Sequence, residues 1–338
     1  MPGDRIKRPL VIQAAARKIS LPYKAEGELA DMRRILAGGL IIGLLAVGLY
    51  YTAPPMPGSM TAAPLLNMVS AGSAGGLTAQ ATTTAPDEGV LPGSAELPVS
   101  FGDAVVRMVQ AGAIDKDAFI RFYGGSTALV KGYLKILTAP SDEPITINDG
   151  NAAVLLNLFW PLGIANISSV LTNGPVGTRY RMQAADFAST GGWTLGKQAG
   201  GRLLNSLPIV PLTPQQETMV MDISQRIYRP CCDNPAALPD CNHGAAMLGF
   251  IELAASQGLS EGQIYRSALT LNTFWFRQNY AEIAAYFSKI QKRAWQDVDA
   301  REILGAAFSS RRGFGAIDAA LRVKGILPKG NSDGNCRI

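Results

Sequence analysis

The chain has 338 residues, of which 47% are apolar and 17% charged, and it contains 36 glycines and 21 prolines. Its length suffices for a buried core and one to three domains, and its composition excludes a collagen-like repeat, a highly charged disordered chain and a disulfide-dense miniprotein. The formal net charge is +5, but residues 1–34 hold eight basic and four acidic side chains and so contribute +4 of it; because this excess belongs to a tail, nucleic acid is not an expected partner.

The first predicted element is a transmembrane helix over residues 35–53. This segment, ILAGGLIIGLLAVGLYYTA, has no charged residue in 19 positions. As a helix it would be about 28 Å long, close to the roughly 30 Å of a bilayer's hydrocarbon core. Arg33-Arg34 precede its start and Tyr50-Tyr51 stand near its end, as basic and aromatic residues do at membrane interfaces.

A cleaved signal peptide and a buried core helix are the alternatives. The long tail before the segment disfavours the first, and its glycines and all-round apolarity disfavour the second.

The distribution of charge also predicts an orientation. Because positive residues stay on the cytoplasmic side, we expect the tail 1–34 in the cytoplasm, residues 35–53 in the lipid bilayer of the cell membrane, and the rest of the chain outside the cytoplasm. Residues 54–98 are rich in Pro, Gly, Ser, Thr and Ala and hold three acids but no Lys or Arg. This composition predicts a flexible linker between the membrane and a folded domain.

Residues 99–327 are predicted to form an all-α globular extracytoplasmic domain behind that one N-terminal transmembrane helix. Apolar residues recur at helical spacing, and the runs 213–216 (TPQQ) and 260–263 (SEGQ) carry helix-capping signals. The alternation typical of half-buried strands is not sustained anywhere, and the short run at Thr146 is a poor strand candidate. The glycine-rich stretch 171–204 could divide the domain into two lobes.

The residues best suited to bind a metal or to act in catalysis lie in one predicted loop. The run CCDNPAALPDCNH holds three of the four cysteines and the only histidine, and its prolines keep it out of a helix. Cys241 would stand at the N-terminus of the following helix, where the dipole favours a thiolate. His243 and Met247, four residues apart, would share a face of that helix. The fourth cysteine, Cys336, lies in the polar tail 328–338, which is able to fold back to the loop.

Three functions compete for this loop, and we favour the binding of a transition metal, copper or zinc. Thiolate, imidazole and thioether ligands suit copper, and a set of three cysteines and one histidine suits tetrahedral zinc. Cys232, Cys241 and His243 are the best ligand candidates; two adjacent cysteines rarely bind one ion, so one of Cys231 and Cys232 could be spare. The whole candidate set is Cys231, Cys232, Cys241, His243, Met247 and Cys336.

The other two functions need no metal. Thiols tend to oxidise outside the cytoplasm, and four cysteines allow three pairings, so the chain could instead be a disulfide-stapled scaffold or an interaction domain with an unknown protein partner. A Cys–His enzyme is the third alternative. No catalytic residue is assigned for it, because the residues next to the pair are too close in sequence to orient it independently and no C-x-x-C motif is present.

The run 229–258, RPCCDNPAALPDCNHGAAMLGFIELAASQG, resembles a segment of bacterial membrane-anchored proteins that carry a CC…DCNHG motif. Those proteins also have an upstream FASTGGWTLG-like stretch and a C-terminal glycine-rich tail with a cysteine, which correspond here to residues 187–196 and 330–336. The present chain departs from a pure glycine run at residues 331–333. The resemblance implies that these elements act together at one site, and it implies no particular reaction.

Overall fold

The structure is a computed structural model that describes residues 90–124 and 132–328. The predicted transmembrane segment 35–53, most of the predicted linker, and Cys336 in the tail lie outside the described residues. Within the described ranges, no helix is both long and apolar enough to cross a bilayer. Anchoring in the membrane and the orientation of the chain therefore stay predictions.

The described part is built mainly from helices, which confirms the helix-rich character predicted from the sequence. Two strands are present, β1 (Ser94–Leu97) and β2 (Ile145–Asn148). The helices are α1 (Ala104–Gln110), α2 (Lys116–Phe122), α3 (Ala152–Ala165), α4 (Ser169–Asn173), α5 (Ala188–Gly191), α6 (Gly200–Leu203), α7 (Pro214–Ser224), α8 (Asn242–Ser256), α9 (Glu261–Trp275), α10 (Arg277–Ala285), α11 (Ala300–Leu304), α12 (Ala306–Ser309) and α13 (Arg311–Val323). A π-helical turn, Tyr286–Gln291, extends α10, and 3₁₀ turns occupy Ala184–Asp186 and Trp295–Asp297.

The sequence interpretation of the two strand segments was wrong. Strands β1 and β2 pair antiparallel, with Leu97 opposite Ile145. Leu97, Ile145 and Ile147 are buried while Thr146 is exposed, so the run at Thr146 does alternate, but over only four residues. Strand β1 lies inside the segment assigned to the linker, so the folded part begins before residue 99. A four-residue strand whose partner is about 50 residues away leaves almost no local signal.

The capping signals predicted from the sequence are present in the structure. Helix α7 begins after Thr213 and helix α9 after Ser260, and each start has a capping box. The hydroxyl of Thr213 accepts from the N–H of Gln216, whose side chain accepts from the N–H of Thr213; at Ser260, Gln263 Oε1 accepts from both the N–H and the hydroxyl of the serine. The local sequence therefore sets where these two helices begin.

Helices α3 and α8 form the centre of the fold and pack closely on each other. Their axes approach through two glycines: a Cβ on Gly163 would lie 1.8 Å from the Ala245 carbonyl oxygen, and a Cβ on Gly249 would lie 2.4 Å from that of Phe159. Phe159 and Phe250 meet edge to face beside this crossing. Nearly every residue of α8 is buried, so its position is set by packing on all sides.

The apolar interior consists of two clusters of buried side chains. The first includes most of α3 and α8, and the second is built largely from α10, α13 and their neighbours. Leu269 and Trp275 pack against both clusters. The stretch 171–204 does not divide the domain into lobes, because its buried residues, such as Trp193 and Leu203, belong to the first cluster. The cysteine loop contacts both clusters: Ala236 and Ala237 lie in the first, and Cys231 packs against the second.

Candidate metal centre

Three cysteine sulfurs meet in the loop between α7 and α8. The Sγ atoms are 3.4 Å apart for Cys232 and Cys241, 3.6 Å for Cys231 and Cys232, and 3.8 Å for Cys231 and Cys241. Within the described residues, these three side chains form a group whose potential metal-ligating atoms all lie within 4.8 Å of one another. The loop thus presents a triangle of thiols that could hold a metal ion.

Cys241 is the N-cap residue of α8. Its backbone is extended, and its Sγ accepts a hydrogen bond from the N–H of Gly244 at 3.4 Å. The predicted position of this cysteine at the helix N-terminus is confirmed. The thiol itself is the side chain that caps the helix. Because α8 is buried in the core, its first turn fixes the backbone from which Cys241 projects.

Arg229 braces the loop from inside. Its side chain is 1% exposed, and Nε donates to Cys241 Sγ at 3.3 Å. Nη1 donates to the Asn234 carbonyl oxygen at 2.7 Å, and Nη2 donates to Asp240 Oδ1 at 2.7 Å and to the Leu238 carbonyl oxygen at 3.4 Å. One guanidinium therefore ties four points of the loop together, which a planar group with five N–H donors is suited to do.

Two further residues complete this brace. Asn234 Nδ2 donates to Asp240 Oδ2 at 2.6 Å, so each oxygen of the Asp240 carboxylate has a partner. Gly244 leaves room for the guanidinium, because a Cβ at that position would lie 2.6 Å from Nη2 of Arg229 and 2.8 Å from its Cζ. Sequence reasoning assigned no role to Arg229 or to Gly244. Nothing in the spacing of the motif marks an arginine 12 residues before the cysteine that it contacts.

The protonation equilibria of the thiols differ because their surroundings differ. Hydrogen bonds from Cys231 and Cys232 and the adjacent Arg229 guanidinium hold the pKa of Cys241 well below its ordinary value, although burial opposes this. For Cys232, a hydrogen bond with Cys231 favours the thiolate. The hydrogen bond to Cys241, burial and the charge on Cys241 outweigh it and raise the pKa of Cys232 to about 12. Of these two thiols, Cys241 is therefore the one whose surroundings favour the thiolate.

The outer side of the loop is fixed to the start of α13. The N–H of Arg311 donates to the Cys232 carbonyl oxygen at 2.9 Å. Asp233 accepts from the backbone N–H of Arg312 at 2.8 Å and from Nη2 of Arg311 at 3.0 Å. Desolvation opposes ionisation of Asp233, but these donors lower its pKa below the ordinary value. Arg311 and Arg312 are thus part of the framework that positions Cys232.

The remaining predicted ligands are placed differently. His243 is buried, and its ring packs on Phe276 with centroids 4.4 Å apart and meets Trp275 edge to face at 6.1 Å. Burial lowers the pKa of His243 to about 4, so the imidazole is neutral. Its nitrogens are not among the ligand atoms of the cysteine group. Met247 is buried in the first apolar cluster, and Cys336 lies outside the described residues. Three of the six predicted ligands are therefore brought together, and the other three stay predictions.

The disulfide hypothesis receives no support from the three described cysteines. Their sulfurs are 3.4–3.8 Å apart, whereas a disulfide bond is about 2.05 Å long. Pairing with Cys336 is not tested by the described residues.

Comparisons with known proteins assign this chain to no family and identify no protein of similar fold. No protein-family model, no curated protein and no solved structure matches this chain. The geometry of the loop itself is therefore what indicates a function.

Proposed function

We propose that this protein binds one transition-metal ion, zinc before copper, through Cys231, Cys232 and Cys241. The observation that carries the proposal is the triangle of sulfurs with edges of 3.4–3.8 Å. Around a tetrahedral zinc with Zn–S bonds of about 2.3 Å, two sulfurs are about 3.8 Å apart, whereas a trigonal-planar ion with equal bonds requires about 4.0 Å. The observed edges fit one face of a tetrahedron better than a planar site.

The charge of the loop supports a divalent ion. Three thiolates carry a charge of −3, so a divalent ion leaves −1 and a cuprous ion leaves −2. Arg229, which is buried and lies against Cys241, offsets part of this charge but is shared with Asp240. Uncompensated charge is costly in a half-buried site, so the divalent ion is the better match.

The hydrogen bonds around the sulfurs support a site that is formed before the ion arrives. Cys241 Sγ accepts from the Arg229 guanidinium and from the N–H of Gly244. Outer donors of this kind orient metal ligands and tune their basicity. Because Arg229 also holds carbonyl groups of the loop, the three thiols keep their arrangement without help from a metal.

A tetrahedral ion needs a fourth ligand beyond the three cysteines. His243, Met247 and Cys336 are the sequence-predicted candidates, and water is the alternative. Helix α13 starts at the loop and is about 20 Å long, and the eight residues that follow Pro328 up to Cys336 can span about 26–29 Å. The tail is therefore long enough for Cys336 to return to the loop.

The proposal includes the location predicted from the sequence. Residues 35–53 would anchor the chain in the membrane, and the metal site would lie outside the cytoplasm. Support for this part comes from the apolar segment and the basic tail that precedes it. The thiol geometry supports metal binding at this location.

The test is metal loading of the full chain, purified in detergent under a reductant that does not bind metal. We expect one zinc per chain by elemental analysis, and cobalt substitution should give the absorption of a tetrahedral thiolate site. Cys231→Ser, Cys232→Ser and Cys241→Ser should each lower zinc affinity by at least tenfold in a competition with a chromogenic chelator. His243→Ala, Met247→Leu and Cys336→Ser identify the fourth ligand, because only the variant that lacks it should change the cobalt spectrum. Failure of the reduced chain to retain zinc or cobalt, or unchanged affinity in Cys241→Ser, would overturn the proposal.

A further inference from the structure

We propose that the same thiol triangle is a redox switch, in which a peroxide joins Cys232 to Cys241 as a disulfide and thereby releases the metal ion. The release step rests on the proposed function. The disulfide step rests only on the arrangement of the three cysteines, so the two can fail separately.

The geometry selects one pair out of three. Cys232 and Cys241 have the closest sulfurs, at 3.4 Å, and these would need to approach by about 1.4 Å to reach the length of a disulfide bond. Cys231 and Cys232 are adjacent in sequence, and a disulfide between them would close a strained eight-membered ring. Cys231 and Cys241 are farther apart, at 3.8 Å, and the Cys231 side chain packs against the second apolar cluster.

Both partners have fixed backbones, so their sulfurs have to approach by rotation of the side chains. The backbone of Cys232 is fixed at both ends, because its N–H donates to the Arg229 carbonyl oxygen and its own carbonyl oxygen accepts from Arg311. Cys241 is fixed by its place at the start of α8. Both residues are partly exposed, and hydrogen peroxide is a small oxidant that can approach them.

The reaction balances with hydrogen peroxide as the oxidant. One cysteine sulfur attacks a peroxide oxygen, the O–O bond breaks, and the products are a sulfenic acid and water. The second sulfur then attacks the sulfenic sulfur, the S–S bond forms, the S–O bond breaks, and the oxygen leaves as a second water. Each sulfur loses one electron and the peroxide gains two. A bound ion loses two of its three loop thiolates in this reaction, and the one remaining thiolate together with the fourth ligand does not retain it.

The experiment treats the reduced, zinc-loaded full chain with stepwise additions of hydrogen peroxide. Zinc release is followed with a chromogenic chelator, and cysteine pairing is mapped by mass spectrometry of peptides after the remaining thiols are blocked. We expect release of one zinc per chain together with one disulfide, between Cys232 and Cys241, and a mass loss of about 2 Da. A dithiol reductant should restore zinc binding.

Two matched variants test whether the disulfide forms between Cys232 and Cys241 and does not involve Cys231. Cys231→Ser keeps both partners and should form the same disulfide even where it binds zinc weakly. Cys232→Ser removes one partner and should give no disulfide within the loop. Circular dichroism of each variant shows that it is folded.

The outcomes decide between the two proposals. If zinc stays bound in the presence of peroxide and all thiols stay reduced, the proposed metal site is supported and the proposed redox switch is overturned. A disulfide that joins Cys231 or Cys336, or oxidation to sulfinic acid without any disulfide, would also overturn it. A reduced chain that binds no zinc would overturn the metal site and with it the release step, while the peptide map would still decide whether Cys232 and Cys241 pair.

Discussion

The guanidinium of Arg229 lies directly against the backbone of Gly244, so that a Cβ at position 244 would come within 2.6 Å of Nη2. The glycine in the first turn of α8 and the arginine at the start of the loop therefore have to occur together. This contact allows the arginine to reach Cys241, Asp240 and the loop carbonyls at once. The contact thus connects the residues that position the three cysteines to α8, of which nearly every residue is buried.

Gly244→Ala tests this contact. The added methyl group should displace the buried guanidinium and break its hydrogen bonds, which we expect to cost about 1–3 kcal/mol in the free energy of unfolding and to weaken zinc binding. Gly262→Ala is the matched control, because a Cβ there meets nothing closer than the flexible end of Arg266, at 3.5 Å. Urea unfolding and zinc competition of both variants provide the measurement. Equal effects of the two substitutions would show that Arg229 does not depend on Gly244.

Arg229→Met tests the role of the arginine itself. The change leaves the Asp240 carboxylate without its ion pair, at 2.7 Å in the intact protein, and removes a donor from Cys241. We expect a loss of roughly 2–3 kcal/mol, below the 3–5 kcal/mol typical of a fully buried pair, because Asp240 is 32% exposed. Arg107→Met disrupts an exposed pair with Asp103 and should cost about 1 kcal/mol or less. Denaturant unfolding measures both, and a loss from Arg229→Met as small as that of the control would contradict the bracing role.

Glu252 should make the stability of the domain depend on pH. Its side chain is fully buried in α8, with Oε2 accepting from Asn166 Nδ2 at 3.0 Å, and burial raises its pKa to about 8. Between the unfolded pKa of about 4.5 and the folded value of about 8, the folded state keeps a proton that the unfolded state has lost. The contribution of this group to the free energy of unfolding is therefore complete below pH 4.5 and falls as the pH rises, by about 1.4 kcal/mol per pH unit.

Glu252→Gln checks this dependence. The variant cannot ionise, so its unfolding free energy should fall less steeply than that of the parent between pH 5 and pH 8. The slope is the readout, because the new amide changes the hydrogen bonding and thus the absolute stability. Identical slopes for the two proteins, measured by urea unfolding at several pH values, would contradict a raised pKa at Glu252.

The crossing of α3 and α8 should tolerate no side chain at its closest point. Gly163→Ala would place a Cβ 1.8 Å from the Ala245 carbonyl oxygen, which forces the helices apart. We expect a loss of at least about 3 kcal/mol, at the upper end for overpacked cores. Gly315→Ala, in α13, meets nothing within 4 Å and should be neutral or stabilising, because alanine favours a helix. Thermal unfolding compares the two, and a Gly163→Ala protein as stable as the control would show that the helices can separate at little cost.

The sequence predicted the features that depend on nearby residues. The capping boxes at Thr213 and Ser260 and the position of Cys241 at a helix N-terminus follow from local patterns and are confirmed. Cys231, Cys232 and Cys241 were all candidate ligands because they lie close together in the sequence, but one of the two adjacent cysteines was expected to be spare. Features that depend on distant residues were missed: the pairing of β1 with β2, the contact of Arg229 with Cys241, and the attachment of Arg311 to the loop. The burial of His243 against Phe276 is likewise set by tertiary packing, which no spacing along the chain encodes.

The cysteine loop touches both apolar clusters, with Cys231 on the second and Cys241 capping the central helix of the first. An ion held by these two residues is a cross-link between the two halves of the interior. Metal occupancy and global unfolding are then thermodynamically linked, and the melting temperature should climb with the logarithm of the free metal concentration once that concentration exceeds the dissociation constant. Where the free zinc concentration varies, the domain would be degraded by proteases more slowly at high zinc than at low zinc. Its lifetime would therefore depend on the zinc concentration of the compartment.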